Sequence, residues 1–331
     1  MIKALSKKVV ATAVLAASVA LISASAQAGD WKGWNIHVKD YPVSVGMEKF
    51  MELANKNTDG RVSGKVYHGG VLGNQADAIS QMQLGGIDFA EFNLGPLGVS
   101  VPETNVVSLP FIFKDMDHMH RVMDGEVGEN LSAAMSKAGI IALSWYDSGS
   151  RSFYNNKGIA INKPADVKGL KFRVMNNELF VGMVEALGGN ATPMAFSEVY
   201  QSLKTGVVDG AENNWPSYES TNHFDVAGNY SATQHLIIPE CLCVSTRAWD
   251  QLSDADKVAV KAAAVESAKL QRVLWAERSA QSKAKVIAAG VKYNEIADKS
   301  AFQDAMGPVY EMAIKKNPVL KDIIAAIKAV D

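Results

Sequence analysis

Gly169-Leu170-Lys171-Phe172-Arg173-Val174 alternates apolar and polar side chains, and the class of the whole chain turns on it. Successive side chains of a strand point to opposite faces, so a strand here buries Leu170, Phe172 and Val174 and turns Arg173 to the other face. Helix-like segments follow at 178–187 and 197–204, and the glycines behind them, Gly188 and Gly206, suit helix stops. Another strand is expected over 207–211. Upstream the same alternation holds: strands at 34–39, 62–68, 87–93 and 140–145, with helices at 45–58, 76–84 and 116–138. This is the pattern of α/β architecture with largely parallel sheets. One layered unit is complete by about Ser148, and a second begins at Arg151.

The segment 254–289 contains neither Gly nor Pro and opens with Ser253-x-x-Asp256, a capping-box-like start. As one helix it would run about 54 Å, longer than a typical small domain is wide. Val258, Ala262 and Val265 mark its expected apolar stripe, and Gly290 its stop. The run 236–245 is strand-like. Cys241 and Cys243 within it are expected to be unbridged, buried, small apolar residues, because a ring that small strains ordinary disulfide geometry.

The 331 residues are 48% hydrophobic and 21% charged. That excludes a disordered chain, a collagen-like repeat and a multispan membrane protein. Lys3, Lys7 and Lys8 precede an apolar stretch over 9–23 and the small-residue ending Ala26-Gln27-Ala28, the layout of a secretory signal peptide over 1–28. Cleavage after Ala28 removes three lysines and no acid, which takes the formal charge from −2 to −5 over 303 residues. The expected location is the periplasm. Charge is spread without long runs, so neither nucleic acid nor an anionic membrane surface is favoured as a partner.

No G-x-S-x-G, H-E-x-x-H, Walker loop or G-x-G-x-x-G occurs. His118 and His120 point away from one another at helical spacing, so no metal and no cofactor is expected. What the chain does offer suits a small polar anion. Arg151 follows Asp147-Ser148-Gly149-Ser150, Arg173 lies on the outward face of its strand, and Asn213-Asn214-Trp215 close another strand. A guanidinium grips a carboxylate through two parallel hydrogen bonds, an amide both donates to and accepts from a hydroxyl, and an aromatic ring covers a sugar face.

With Thr192-Pro193-Met194 and Gly206-Val207-Val208-Asp209-Gly210-Ala211-Glu212-Asn213, the 169–174 segment resembles the solute-binding proteins of tripartite ATP-independent periplasmic (TRAP) transporters. His68-Gly69-Gly70-Val71-Leu72-Gly73, Gln83-Leu84-Gly85-Gly86-Ile87-Asp88 and Leu109-Pro110-Phe111 extend the likeness over essentially all of 29–331. The resemblance implies a two-domain clamp with its ligand in the cleft and a long helix along both domains. The domains are expected at 29–149 plus 239–279 and at 150–238 plus 280–331. It also implies a monomer that delivers its ligand to small and large membrane permease subunits. The family's carboxylate-binding arginine falls on Arg173, a second basic contact on Arg151, the cleft asparagine on Asn213 and an aromatic on Phe196. The first domain's cleft positions fall near His37, Gln75 and Asn93. The stretches 37–42, 146–154 and 212–218, which include Tyr146 and Trp215, resemble the branch that takes sugar acids, particularly hexuronates. Sialate, aldonate and C4-dicarboxylate ligands, a secreted sugar-acid enzyme and a sensor-kinase binding module are the alternatives. Glu212 and Glu240 are expected to be structural acids.

Overall fold

The computed structural model describes residues 29–331, so the expected leader over 1–28 lies outside the described residues. In chain order the strands are β1 (Asp30–Trp34), β2 (Ser63–Tyr67), β3 (Phe89–Asn93), β4 (Ile140–Tyr146), β5 (Ser150–Asn155) and β6 (Lys171–Val174). They continue as β7 (Asn190–Pro193), β8 (Gly210–Asn213), β9 (Asn229–Ile237), β10 (Glu240–Ser245) and β11 (Lys292–Glu295). Two sheets result, in the orders β2-β1-β3-β10-β4 and β11-β9-β5-β8-β6-β7.

The α/β class and the division into two units hold, but the sheets are mixed, not largely parallel. β10 runs antiparallel to both β3 and β4, and β5 antiparallel to β8 and β9. The chain passes between sheets twice over short connections, and a strand that returns this way enters its sheet from the opposite direction. The first passage is at 147–149, where Gly149 holds φ +60 and a Cβ would meet the Trp275 indole nitrogen at 2.7 Å. The second splits the expected 236–245 strand. Pro239 has no N–H for a ladder, so β9 ends at Ile237 and β10 starts in the other sheet at Glu240.

Other boundaries moved for local reasons. The strand expected over 34–39 ends at Trp34, because Asn35 Oδ1 accepts from the His37 backbone N–H at 2.7 Å while its amide donates to Ser44 Oγ at 3.0 Å. This turn carries His37 off the end of β1. The helix expected over 116–138 is two, Met116–Met123 and Glu126–Lys137, meeting at Asp124-Gly125, where Arg272 grips the Asp124 carboxylate at 2.7 and 2.8 Å. Cys241 and Cys243 are buried, but the structure joins them as a disulfide, contrary to expectation. Their Cα atoms are 5.6 Å apart, within bridging range and short of the roughly 6.6 Å of a regular two-residue step.

The long segment is one helix, Asp254–Ala288, about 52 Å end to end, with Ser253 Oγ accepting from Asp256 N at 3.1 Å and Gly290 stopping it at φ +98. Its buried face is not the expected stripe: Val258 and Val265 are exposed, while Val260, Ala263, Ala264 and Ala268 face inward. Small residues on that face let it lie close to the Pro42–Asn57 helix and β4, while its second half reaches the Trp215–Ser220 helix of the other unit. The final helix, Leu320–Ala329, also departs from the expected division. Ile324 and Ile327 pack in a core with Val106 and Leu131, and the Ile327 carbonyl meets His118 Nε2 at 3.1 Å, so this helix docks on the first unit.

Candidate functional site

A cavity of about 270 Å³ lies between the two sheets and is lined from both. Arg173 enters it from β6, whose Phe172 and Val174 are buried in the core on the opposite face, as the alternation requires. Its Nε and one Nη2 hydrogen donate to the Met194 carbonyl at 3.1 and 2.8 Å. Nη1 donates to nothing among the described residues, and no carboxylate there forms an ion pair with this arginine, although its exposure is only 2%. Burial pulls the guanidinium down to about 10, against the attraction of Glu212. The Phe196 ring, also lining the cavity, sits 6.0 Å from the guanidinium carbon and edge-on to His37 at 5.9 Å.

Arg151, the second predicted basic contact, lines the same cavity from β5 but is engaged in a different way. Nε and Nη2 grip the Glu212 carboxylate at 2.6 and 2.8 Å, Nη2 also donates to the Glu212 carbonyl at 2.9 Å, and Nη1 donates to Asn213 Oδ1 at 2.8 Å. Burial pushes Glu212 up, but the Arg151 charge and grip together with the nearby His235 outweigh this and hold the acid at about 2. The pair fixes Asn213 with its Oδ1 occupied, by Arg151 and by the Asn214 N–H at 2.9 Å, so its NH2 is left to donate into the cavity.

The first unit contributes acceptors. Gln75, at the start of the Gln75–Gln83 helix, donates to the Asn93 carbonyl at 2.7 Å and keeps its own carbonyl oxygen unengaged. Asn93 lines the cavity, but its Oδ1 caps the next turn through Gly95 N at 3.0 Å and its NH2 donates to Glu240 Oε1 at 3.3 Å. His37 stacks on Tyr41 with ring centroids 3.8 Å apart; burial, then Arg151, lowers its pKa to about 3, which leaves a neutral imidazole with one donor and one acceptor.

Two cavity acids carried no sequence signal for this place. Glu91 opposes Leu242 across the β3–β10 ladder and Glu240 opposes Asn93, so the two acids are diagonal neighbours on one face. Both are buried, and their carboxylates come within 4.8 Å of one another and of a His37 ring nitrogen. Oε2 of each has no hydrogen-bond partner among the described residues. Burial raises both; the neighbouring Glu240 raises Glu91 further, and Glu240 itself stands at about 7.

Two predicted residues lie elsewhere. Trp215 does not line the cavity: it stacks on Tyr230 at 3.6 Å and packs against Tyr293, on the Arg173 face of the second sheet but at its β9–β11 edge. Tyr146 is also absent from the lining. It is buried under Gly46, with its hydroxyl 2.8 Å from Ser267 Oγ, and so ties β4 to the long helix. The units touch around the cavity through Tyr41 Oη and Ser217 Oγ at 2.8 Å and through Asn177 Nδ2 donating to the Gly95 carbonyl at 2.7 Å.

The sequence pattern of the bacterial extracellular solute-binding proteins, family 7 (DctP), matches residues 35–317. A solute-binding protein of Chromohalobacter salexigens is 53% identical over 307 residues, 93% of this chain and 91% of its own. Among solved structures, a TRAP periplasmic solute-binding protein from Sulfitobacter sp. NAS-14.1 with bound β-D-galacturonate is 60% identical at TM-score 0.88, over 89% of this chain and 98% of that one. One from Roseobacter denitrificans with bound β-D-glucuronate is 58% identical at TM-score 0.90, over 92% and 100%. Clamp architecture, an anion-ready arginine between the units and likeness along almost the whole length agree: the chain belongs to the DctP family and is a solute-binding protein of the TRAP type.

Proposed function

We propose that this protein, exported by its 1–28 leader, captures a hexuronate of the glucuronate or galacturonate class in the periplasm as a monomer. It then delivers the solute to the small and large subunits of a TRAP permease. The observation that carries this is the Arg173 guanidinium, buried, without an acidic partner and with Nη1 open to the cavity. A buried charge is costly unless paired, so the site is built for a partner that arrives from outside. A planar carboxylate satisfies the fork, and Asn213 NH2, the Gln75 carbonyl and His37 suit the hydroxyls of a sugar acid. Hexuronates bound to relatives 58% and 60% identical support that solute class.

Because the lining comes from both units, a bound solute bridges them and favours the closed arrangement that a permease would recognise. Capture needs no bond making or breaking. Titration calorimetry of the mature protein with D-glucuronate and D-galacturonate tests the reading. Arg173→Ala should weaken binding by at least ~10-fold to 100-fold, the equivalent of a charged hydrogen bond or two. Arg173→Lys should also bind worse, because an ammonium lacks the planar fork. Near wild-type affinity in Arg173→Ala would remove the central claim.

A further inference from the structure

The cavity's other charged feature is the acid pair on the first unit's wall, which the capture of a carboxylate does not by itself require. We infer that Glu91 and Glu240 set the specificity of the site: they accept hydrogen bonds from hydroxyls at the end of the solute remote from its carboxylate, and they exclude acids with a second carboxylate there. This rests on the proposed hexuronate reading and goes further, because it names the residues that separate sugar acids from diacids.

The geometry supports it in three ways. First, β10 lies between β3 and β4, and its register puts Glu240 opposite Asn93 and diagonal to Glu91, so both acids are fixed on a rigid sheet. Second, Glu91 is 1% exposed and Glu240 3%, yet Oε2 of each lacks a partner, and unengaged buried carboxylate oxygens call for donors. The neighbours supply few: the Asn93 NH2 is spent on Glu240 Oε1 while its Oδ1 accepts from Gly95 N, Ser148 offers one hydroxyl, and neutral His37 has one N–H. Sugar hydroxyls are donors of the right kind. Third, two acids this close keep more acceptors than donors even when a proton is shared between them, so a second carboxylate placed against them meets both repulsion and unmatched acceptors.

A histidine with two carboxylates is also a ligand set for a divalent cation, and the same experiment separates the two roles. The mature protein is titrated with D-galacturonate and with galactarate, its diacid counterpart, with and without EDTA or added Ca²⁺, in wild type, Glu240→Gln and Glu91→Gln/Glu240→Gln. Thermal melts check that each variant folds. Wild type should prefer galacturonate over galactarate by at least ~100-fold, and Glu240→Gln should weaken galacturonate ~10-fold and narrow the preference, a scale set by one lost charged hydrogen bond.

The inference is overturned if neither variant changes affinity or preference. It is also overturned if binding needs Ca²⁺ and the double variant removes that need, since the cluster would then hold a cation. If wild type ignores hexuronates, the functional reading fails alone, and gluconate against glucarate reads the acid pair in the same way. A wild type that favours the diacid in both pairs would overturn both.

Discussion

Arg173 and Glu240 line one cavity from opposite units, each buried to within a few per cent, and their treatment by the surrounding chain differs from that of Arg151 and Glu212 nearby. Arg151 and Glu212 satisfy one another through a two-pronged grip. Among the described residues Arg173 has only a backbone carbonyl, and Glu240 has the Asn93 amide, the nearby Ser148 side chain and another acid, with Oε2 left over. The first pair is a scaffold that holds Asn213 in place. The second couple is incomplete, positive on one wall and negative on the other, which matches a solute with a carboxylate at one end and hydroxyls elsewhere. An arginine's place in the cleft therefore does not define its role; what its N–H groups already hold does.

The sharpest way to break this contrast is Arg151→Met. It leaves Glu212 with only His235 beside it, 3.8 Å away, and should cost about 3–5 kcal/mol in urea denaturation, while Arg151→Met with Glu212→Leu should recover most of that loss. A small loss in the single variant would make the pair no scaffold. Arg173→Met should behave in the opposite sense, with binding down by ~100-fold but the ligand-free midpoint unchanged or higher, because an unpartnered buried cation has gone. Calorimetry beside a melt of the same sample reads both.

The two acids should also oppose each other in pH. Glu212, held at about 2 by Arg151 and His235 together despite burial, gives stability that is full above its ordinary 4.5 and is lost as pH falls from 4.5 towards 2. Burial raises Glu240 to about 7, so its contribution is full below 4.5 and is lost as pH rises from 4.5 through 7. Glu91, His37, Arg151 and Tyr41 surround it. Glu240→Gln should flatten the decline in urea midpoint between pH 5 and 7, and an unaltered slope would place that titration elsewhere. The smallest effects belong to the two residues outside the cavity. Trp215→Phe should leave hexuronate affinity within about twofold, and Tyr146→Phe should cost about 1 kcal/mol of stability with the same affinity.

Much of this was legible in the sequence where a local rule decides. Arg173 was readable because alternation along 169–174 needs no distant information, and the long helix because nothing in 254–289 interrupts it. Glu91 was not, since Phe89-Ala90-Glu91-Phe92-Asn93 reads as a strand with one acid, and only register with a strand some 150 residues later turns that acid into the cavity. Trp215 misled because an aromatic beside two asparagines resembles a sugar platform, whereas the Trp215–Ser220 helix turns it towards Tyr230 and Tyr293 at the β9–β11 edge, away from the cavity. The stripe of the long helix was misplaced because its buried side is mostly small and polar residues, Ala263, Ala264, Ser267, Ala268 and Gln271, with Val260 its one valine in the first half, so large apolar side chains do not mark it.

The position of β10 has one more consequence. It is an inner strand of the first sheet, between β3 and β4, yet it is translated after every strand of the second sheet except β11. The first sheet therefore cannot close until residue 245 of 331 is available, and its pairings are of long sequence separation, which slows folding. A chain read as exported gains from this delay, because the first sheet stays open until about three-quarters of the chain has been delivered. A fragment ending at residue 149 would lack an inner strand, so neither half of this clamp is a module to be cut out and studied alone.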